Sequence, residues 1–132
     1  MARRAALSKA ELETARIVWS LGDATVRQVL EALPPERQVE YKTVQTFLRR
    51  LEAKGYLNAR REGKTIHYRP RIGAAQVVRE TVRDFIARLF DGQALPLVQH
   101  LISDRALSLD EIAELRAMLN RLDADQKDRD AR

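Results

Sequence analysis

The order in which the hydrophobic period changes along the first seventy residues is what most limits how this chain can fold. Three helical runs, each closed by a strong stop, precede two strand-like runs. Ser8 with Glu11 has the spacing of a capping box, and Leu12, Ala15, Val18, Trp19 and Leu21 follow at helical intervals until Gly22-Asp23. Thr25 with Gln28 repeats the box, and Val26, Val29, Leu30 and Leu33 form a short stripe. Pro34-Pro35 ends it, because proline lacks the amide donor and clashes with the preceding turn. After a polar stretch from Glu36 to Glu40, the run from Tyr41 to Lys54 carries Val44, Leu48 and Leu51 at i, i+4 and i+7 with Phe47 beside them, and Gly55 supplies the stop. Tyr56 to Arg61 and Lys64 to Pro70 then read as two strands joined by a tight turn at Glu62-Gly63. Ile66 and Tyr68 alternate with Thr65, His67 and Arg69, so one face of the hairpin can pack on the third helix while the other stays polar. Three helices followed by a hairpin are the order of a winged helix-turn-helix, expected over residues 1–71.

Beyond Pro70 the period is helical throughout. Val78, Val82, Phe85 and Leu89 form one stripe, widened by Val77, Ile86 and Phe90, up to Asp91-Gly92. Leu95, Val98, Leu101 and Ile102 make a second run, and Ser108 with Glu111 opens a third that carries Ile112, Leu115, Leu119 and Leu122. The fold class expected is therefore mostly α, a winged helix-turn-helix followed by an all-helical segment over residues 72–123. About fifty residues of amphipathic helix with two broad apolar faces do not close a core alone. A second copy is the expected partner, with Val78, Val82, Phe85, Leu89, Ile112, Leu115 and Leu119 as dimerisation contacts. The alternative is packing back onto the chain's own N-terminal domain. Residues 124–132 are almost wholly charged or small and are expected to be a disordered tail.

Charge separates the two halves. The chain holds 24 Lys and Arg against 19 Asp and Glu, net +5. Residues 1–70 hold 14 against 8, net +6, so the basic excess belongs entirely to the helix-and-hairpin part. An excess confined to one compact segment is the footprint of an anionic polymer partner. The helical period turns Lys42, Thr43, Gln45, Thr46, Arg49 and Arg50 onto or near the outer face of the third helix. Lys and Arg neutralise phosphates or reach guanine O6 and N7, Gln bonds adenine bidentately, and Thr offers a hydroxyl to phosphate and a methyl to thymine. The N-terminal part of such a helix meets the base edges, which makes Lys42, Thr43, Gln45 and Thr46 better readers than Arg49, with Arg50 farther along on phosphate. Arg60, Arg61 and Lys64 on the hairpin are placed to clamp the flanking backbone. Any one of these residues alone reads as an ordinary solvated side chain; the group does not.

Other classes find little support. The chain has no cysteine, which removes disulfides, thiolate metal sites and thiol redox chemistry and points to a reducing compartment. Its start carries Arg3-Arg4 with no apolar run behind them, and no stretch approaches the ~18 apolar residues of a membrane span, so a soluble cytoplasmic protein is expected. The only histidines are His67 and His100, and the five glycines make neither a Walker loop nor a dinucleotide fingerprint, so no catalytic residue, metal or cofactor is assigned. His67 reads as structural or a phosphate contact and His100 as a packing residue. RNA readers stack bases on aromatic platforms, and only 5% of these residues are aromatic. A winged helix used as a protein-interaction module, without sequence-specific DNA binding, is the competing reading, but it leaves the localised positive charge unexplained.

Leu7-Ser8, Glu11, Ile17-Val18-Trp19, Lys42-Thr43-Val44-Gln45-Thr46, Arg50-Leu51, Lys54-Gly55, the hairpin ending in Tyr68, and Leu107-Ser108 with Asp110-Glu111-Ile112-Ala113-Glu114-Leu115 form an ordered set over nearly the whole chain. In that set the sequence resembles the family of penicillinase, methicillin-resistance and copper-responsive repressors. The resemblance implies a homodimer that binds a palindromic operator in double-stranded DNA and represses nearby genes. It places Lys42, Thr43, Gln45, Thr46 and Arg50 at the family's recognition-helix contact positions, with Gln45 where some relatives carry Arg. Two departures bear on the inducing signal. The copper-responsive branch ends in a cysteine cluster that this chain lacks, so thiolate-mediated sensing is not expected. The β-lactam-responsive branch is inactivated by a regulatory protease at an Asn-Phe bond, and the aligned pair here is His100-Leu101, so the same protease specificity is not implied. Cleavage among the dimerisation helices remains a physically sensible off switch, because losing the dimer removes one half-site and the avidity of joining two.

Overall fold

The computed structural model describes residues 4–131. In its N-terminal part the order is α1 (Lys9–Leu21), β1 (Ala24–Thr25), α2 (Val26–Ala32), a 3-10 turn (Pro35–Arg37), α3 (Tyr41–Ala53), β2 (Leu57–Glu62) and β3 (Thr65–Pro70). Both expected capping boxes form. Ser8 Oγ accepts from the Glu11 amide at 3.2 Å while Glu11 returns a carboxylate to the Ser8 amide at 2.8 Å, and Thr25 and Gln28 do the same at 3.1 and 2.9 Å. The strands make one antiparallel sheet in the order β1-β3-β2. The two-residue β1, paired as Ala24↔Tyr68 and Thr25↔His67, is too short for sequence periodicity to reveal. The hairpin also turns one residue later than the sequence suggested. Glu62 pairs with Thr65, leaving Gly63-Lys64 as the loop, with Gly63 at φ +63°. A two-residue loop with its glycine at the first central position matches the twist of the flanking strands.

Val44, Leu48 and Leu51 of α3 are completely buried, and they share one core with Ala15 and Val18 of α1, Ala24, Val26 and Val29, and Leu57 and Tyr68 of the hairpin. Tyr68 is the largest of these buried side chains, so the inward face assigned to Ile66 and Tyr68 is the one observed, although Ile66 is only partly covered. Glu11 is the one buried carboxylate among the described residues. It meets Lys54 Nζ at 2.7 Å, and the same ammonium donates to the Ala6 carbonyl at 3.1 Å, which ties the start of α1 to the end of α3.

The remaining elements are α4 (Ala74–Phe90), α5 (Leu95–Ser103) and α6 (Leu109–Asp130), the last opened by a third capping box between Ser108 and Glu111. Compactness divides the chain between Val82 and Arg83, not near residue 71. The reason lies in the first unit: Val77 is buried in its core, Ile72 packs against that core, and Trp19 Nε1 donates to the Ile72 carbonyl at 3.1 Å. In the second unit α5 and α6 contain no buried residue. Leu89, Leu95, Ile102, Leu109, Leu119 and Leu122 are all more than half exposed. The disordered tail expected over 124–132 is not what the chain forms, since α6 runs unbroken to Asp130. The segment contains no Gly or Pro, and Lys127 pairs with Asp123 at 3.5 Å one turn earlier. Arg132 of that tail and residues 1–3 of the N-terminal domain lie outside the described residues.

Burial pushes the Glu11 carboxyl up, but Lys54 and Ser8 outweigh it, and the group sits below its ordinary value of 4.5. A carboxylate depressed in the folded state contributes stability that is complete above its unfolded value and is lost as pH falls through the folded one. Glu11→Gln should therefore cost about 1–3 kcal/mol at neutral pH. Its melting temperature should also fall less steeply than the wild type's on acidification below pH 4.5, as read by circular dichroism. Parallel curves would remove this ion pair from the acid response.

Candidate nucleic-acid interface

The burial of Val44, Leu48 and Leu51 fixes what α3 offers to solvent. Lys42, Thr43, Arg49 and Arg50 are exposed, while Gln45 and Thr46 are half-buried at the edge of the same face. The six residues singled out from the sequence do share one side of one helix, but they differ in how free they are. Thr46 Oγ1 donates to the Lys42 carbonyl at 3.0 Å, so its proton is already used and its methyl and lone pairs are what it can present. Arg49 lies near enough to the Tyr68 hydroxyl to favour its ionised form. Burial raises the Tyr68 phenol above its ordinary value, reinforced by Glu52 and opposed by Arg49. Arg49 is therefore turned toward the wing, consistent with its lower rank as a base reader. Lys42 and Arg50 form no ion pair among the described residues.

The N-terminus of α3 differs from those of α1, α2 and α6. Glu40 makes no side-chain capping bond, and no acidic residue lies in the first turn. The first amides therefore have no side-chain cap, at the end of the helix where Lys42 and Thr43 project. Beside this end lies a notch of about 390 Å³ between α2, α3 and the hairpin, lined by Thr25, Arg27, Tyr41, Gln45, Lys64 and Tyr68 among others. The Arg27 guanidinium stands over the Tyr41 ring, 5.4 Å from its centre. Neither residue emerged from the sequence. Arg27 is a polar residue in a short helix read only for its apolar stripe, and Tyr41 is the first residue of α3, where a face cannot be assigned from spacing.

On the hairpin, Arg61 and Lys64 are exposed and form no ion pair among the described residues, as a backbone clamp requires. Arg60 is different. Its guanidinium donates to Asp23 Oδ2 at 3.2 Å and lies 3.6 Å from Glu62 Oε2, and Asp23 holds it above its ordinary ionisation range. His67 sits between the same two carboxylates, with Nδ1 3.5 Å from Asp23 and Nε2 3.2 Å from Glu62. His100, in the second unit, lies with its ring centre 5.8 Å from that of Phe90. Among the described residues no group of His, Asp and Glu is arranged to hold a metal ion, and no helix is long and apolar enough to cross a membrane.

A family profile described as "Penicillinase repressor" matches residues 7–121. The chain is 30% identical over 115 residues to the methicillin resistance regulatory protein MecI of Mammaliicoccus sciuri, spanning 87% of this chain and 94% of that one. It is 31% identical over 113 residues to the penicillinase repressor of Bacillus licheniformis, spanning 86% and 88%. Among solved structures, the DNA binding domain of the repressor BlaI superposes with a TM-score of 0.50 at 33% identity, covering 57% of this chain and 92% of that domain.

Proposed function

Because the chain belongs to the penicillinase repressor family, we propose that it is a sequence-specific DNA-binding transcriptional repressor that acts as a homodimer on a palindromic operator in the cytoplasm. The family is one of transcriptional repressors and not an enzyme class. One observation carries the reading above all. The solvent side of α3 gathers Lys42, Thr43, Gln45 and Thr46 in its first turns and Arg50 in its last, with Arg61 and Lys64 of the adjoining hairpin unpaired among the described residues. A positive helix end with hydrogen-bonding side chains reads bases in the major groove, and cations on a neighbouring wing hold the flanking phosphates. In this reading Lys42, Thr43, Gln45 and Thr46 face base edges, while Arg49 and Arg50 stand toward the backbone. An interaction module with no sequence preference gives no reason for this concentration of charge.

Apolar side chains of α4 and α6 are left uncovered. Val78, Val82, Phe85 and Leu89 lie along one side of α4 and are 55%, 44%, 39% and 64% exposed, and Leu119 is 55% exposed beside half-buried Ile112 and Leu115. Side chains of this size in one stripe are unfavourable in water unless a second surface covers them. An identical copy related by a dyad covers both stripes at once and presents two α3 helices to two half-sites about one helical turn, or a multiple, apart. Bound operator then excludes polymerase sterically. Relief of repression follows from cleavage between His100 and Leu101 in α5 by a regulatory protease, which severs α4 from α6.

Selection of duplexes from random DNA by the purified chain should return an inverted repeat bound by two copies. On that duplex Gln45→Ala should alter base preference at one position of each half-site, at about 1–3 kcal/mol per lost bidentate contact. Arg50→Ala should instead weaken all sequences alike and flatten the log-affinity against log-salt slope by about 0.9 per phosphate lost. If neither change moves operator affinity, α3 is not the reading helix. Phe85→Asp should give a monomer by light scattering, with the helical signal retained and operator binding weakened; an unchanged dimer places the interface elsewhere. A chain carrying a site for a specific protease at 100–101 should release operator on cutting, and operator retained after complete cutting rules out this route to derepression.

A further inference from the structure

The wing's polar face holds a closed set of charges that DNA binding leaves unexplained. Across the sheet Thr25, His67 and Arg60 are in register, with His67 on the central strand. Asp23 precedes β1 and Glu62 ends β2. Each carboxylate touches both Arg60 and His67: Asp23 at 3.2 and 3.5 Å, Glu62 at 3.6 and 3.2 Å. With His67 neutral the four groups sum to one negative charge, in the middle of a wing whose other cations, Arg61, Lys64 and Arg69, are unpaired among the described residues. The basic residue nearest the centre of the hairpin is thus neutralised within the molecule.

We infer that Asp23, seconded by Glu62, withholds Arg60 from DNA phosphate and so limits the sequence-independent affinity of each half of the repressor. The inference rests on the DNA-binding reading above. A phosphate that engages Arg60 must displace the Asp23 carboxylate hydrogen-bonded at 3.2 Å and compete with Glu62 at 3.6 Å, so the counterion release that an unpaired arginine gives is mostly forfeited. The pair is partly exposed and therefore exchangeable, not locked. The consequence fits a dimer-dependent regulator. When one half binds weakly by itself, operator occupancy depends on joining two halves, and loss of the dimer suffices for release. The same restraint shortens residence on bulk DNA, whose sites outnumber the operator by many orders of magnitude.

The test uses the full chain, the inverted repeat returned by selection, and a scrambled duplex of equal length, titrated by fluorescence anisotropy over a range of salt. Asp23→Asn should tighten both duplexes about three- to tenfold and steepen both salt slopes by about 0.9 per chain bound, since each chain neutralises one more phosphate. Glu62→Gln should act in the same direction and less strongly, which keeps the test available should the first variant fold poorly. Arg60→Ala should change wild-type binding less than about twofold and cancel the whole gain in the Asp23→Asn background. The inference is overturned if both acid variants leave affinity and slope unchanged, or if Arg60→Ala costs the wild type as much as it costs Asp23→Asn. A wild-type chain that binds neither duplex overturns the DNA-binding reading itself, whereas one that binds the repeat but ignores the acid substitutions overturns only this proposal.

Discussion

The candidate interface depends on the rotation of α3 about its own axis, which is set by seating Val44, Leu48 and Leu51 in the core between α1, α2 and the hairpin. Each of these side chains is fully buried and contributes about 1.5–3 kcal/mol relative to exposure. A slip of one residue turns the helix by about 100° and brings Gln45, Arg49 and Glu52 toward the positions those aliphatic groups hold. Burying a polar or charged side chain there without a partner is costly enough to exclude the alternative. The polar face of α3 is therefore rigidly presented because its apolar face is rigidly held. Glu11 with Lys54 reinforces the arrangement from the far end of the helix, and Trp19 with Ile72 ties the first turns of α4 to the same core.

The electrostatics of the first unit are arranged by position and not by count. α1, α2 and α6 close their N-termini with Ser8, Thr25 or Ser108 and the glutamate or glutamine three residues on. α3 has no such cap, and its exposed Lys42 and Arg50 have no acid partner among the described residues. Several basic residues elsewhere are paired: Arg37 is bound to Glu13, Lys54 to Glu11 and Arg60 to Asp23 and Glu62. Of the cations behind the net charge of +6 over residues 1–70, Lys42 and Arg50 of α3 and Arg61 and Lys64 of the hairpin belong to those left unpaired among the described residues.

The second unit obeys the opposite logic. Its helices are well formed, yet they bury no side chain of α5 or α6 and leave a row of leucines open. Helix formation there is local, supported by the Ser108 capping box and by the Asp123–Lys127 pair, whereas closure of a core needs a second surface. The ring contacts among Phe85, Phe90 and His100 show the limited packing available within it.

Most of the architecture was legible because hydrophobic period and helix punctuation are local properties of the chain. The three N-terminal helices, the hairpin, the inward set on α3 and each capping box follow from spacings of three or four residues. Local signals also misled. Charge-rich composition suggested a tail where α6 persists, and the period change near Pro70 suggested a boundary that packing moves to Val82. Charge, by contrast, is decided by partners far apart in sequence. Asp23 and Arg60 are 37 residues apart, and Glu11 and Lys54 are 43 apart. The sequence by itself determined which elements form and which face of each is apolar, since both depend on neighbours within one or two turns. Only the tertiary structure decided which cations remain free, because the register of β1, β2 and β3 brings Asp23, Arg60, Glu62 and His67 together across the sheet.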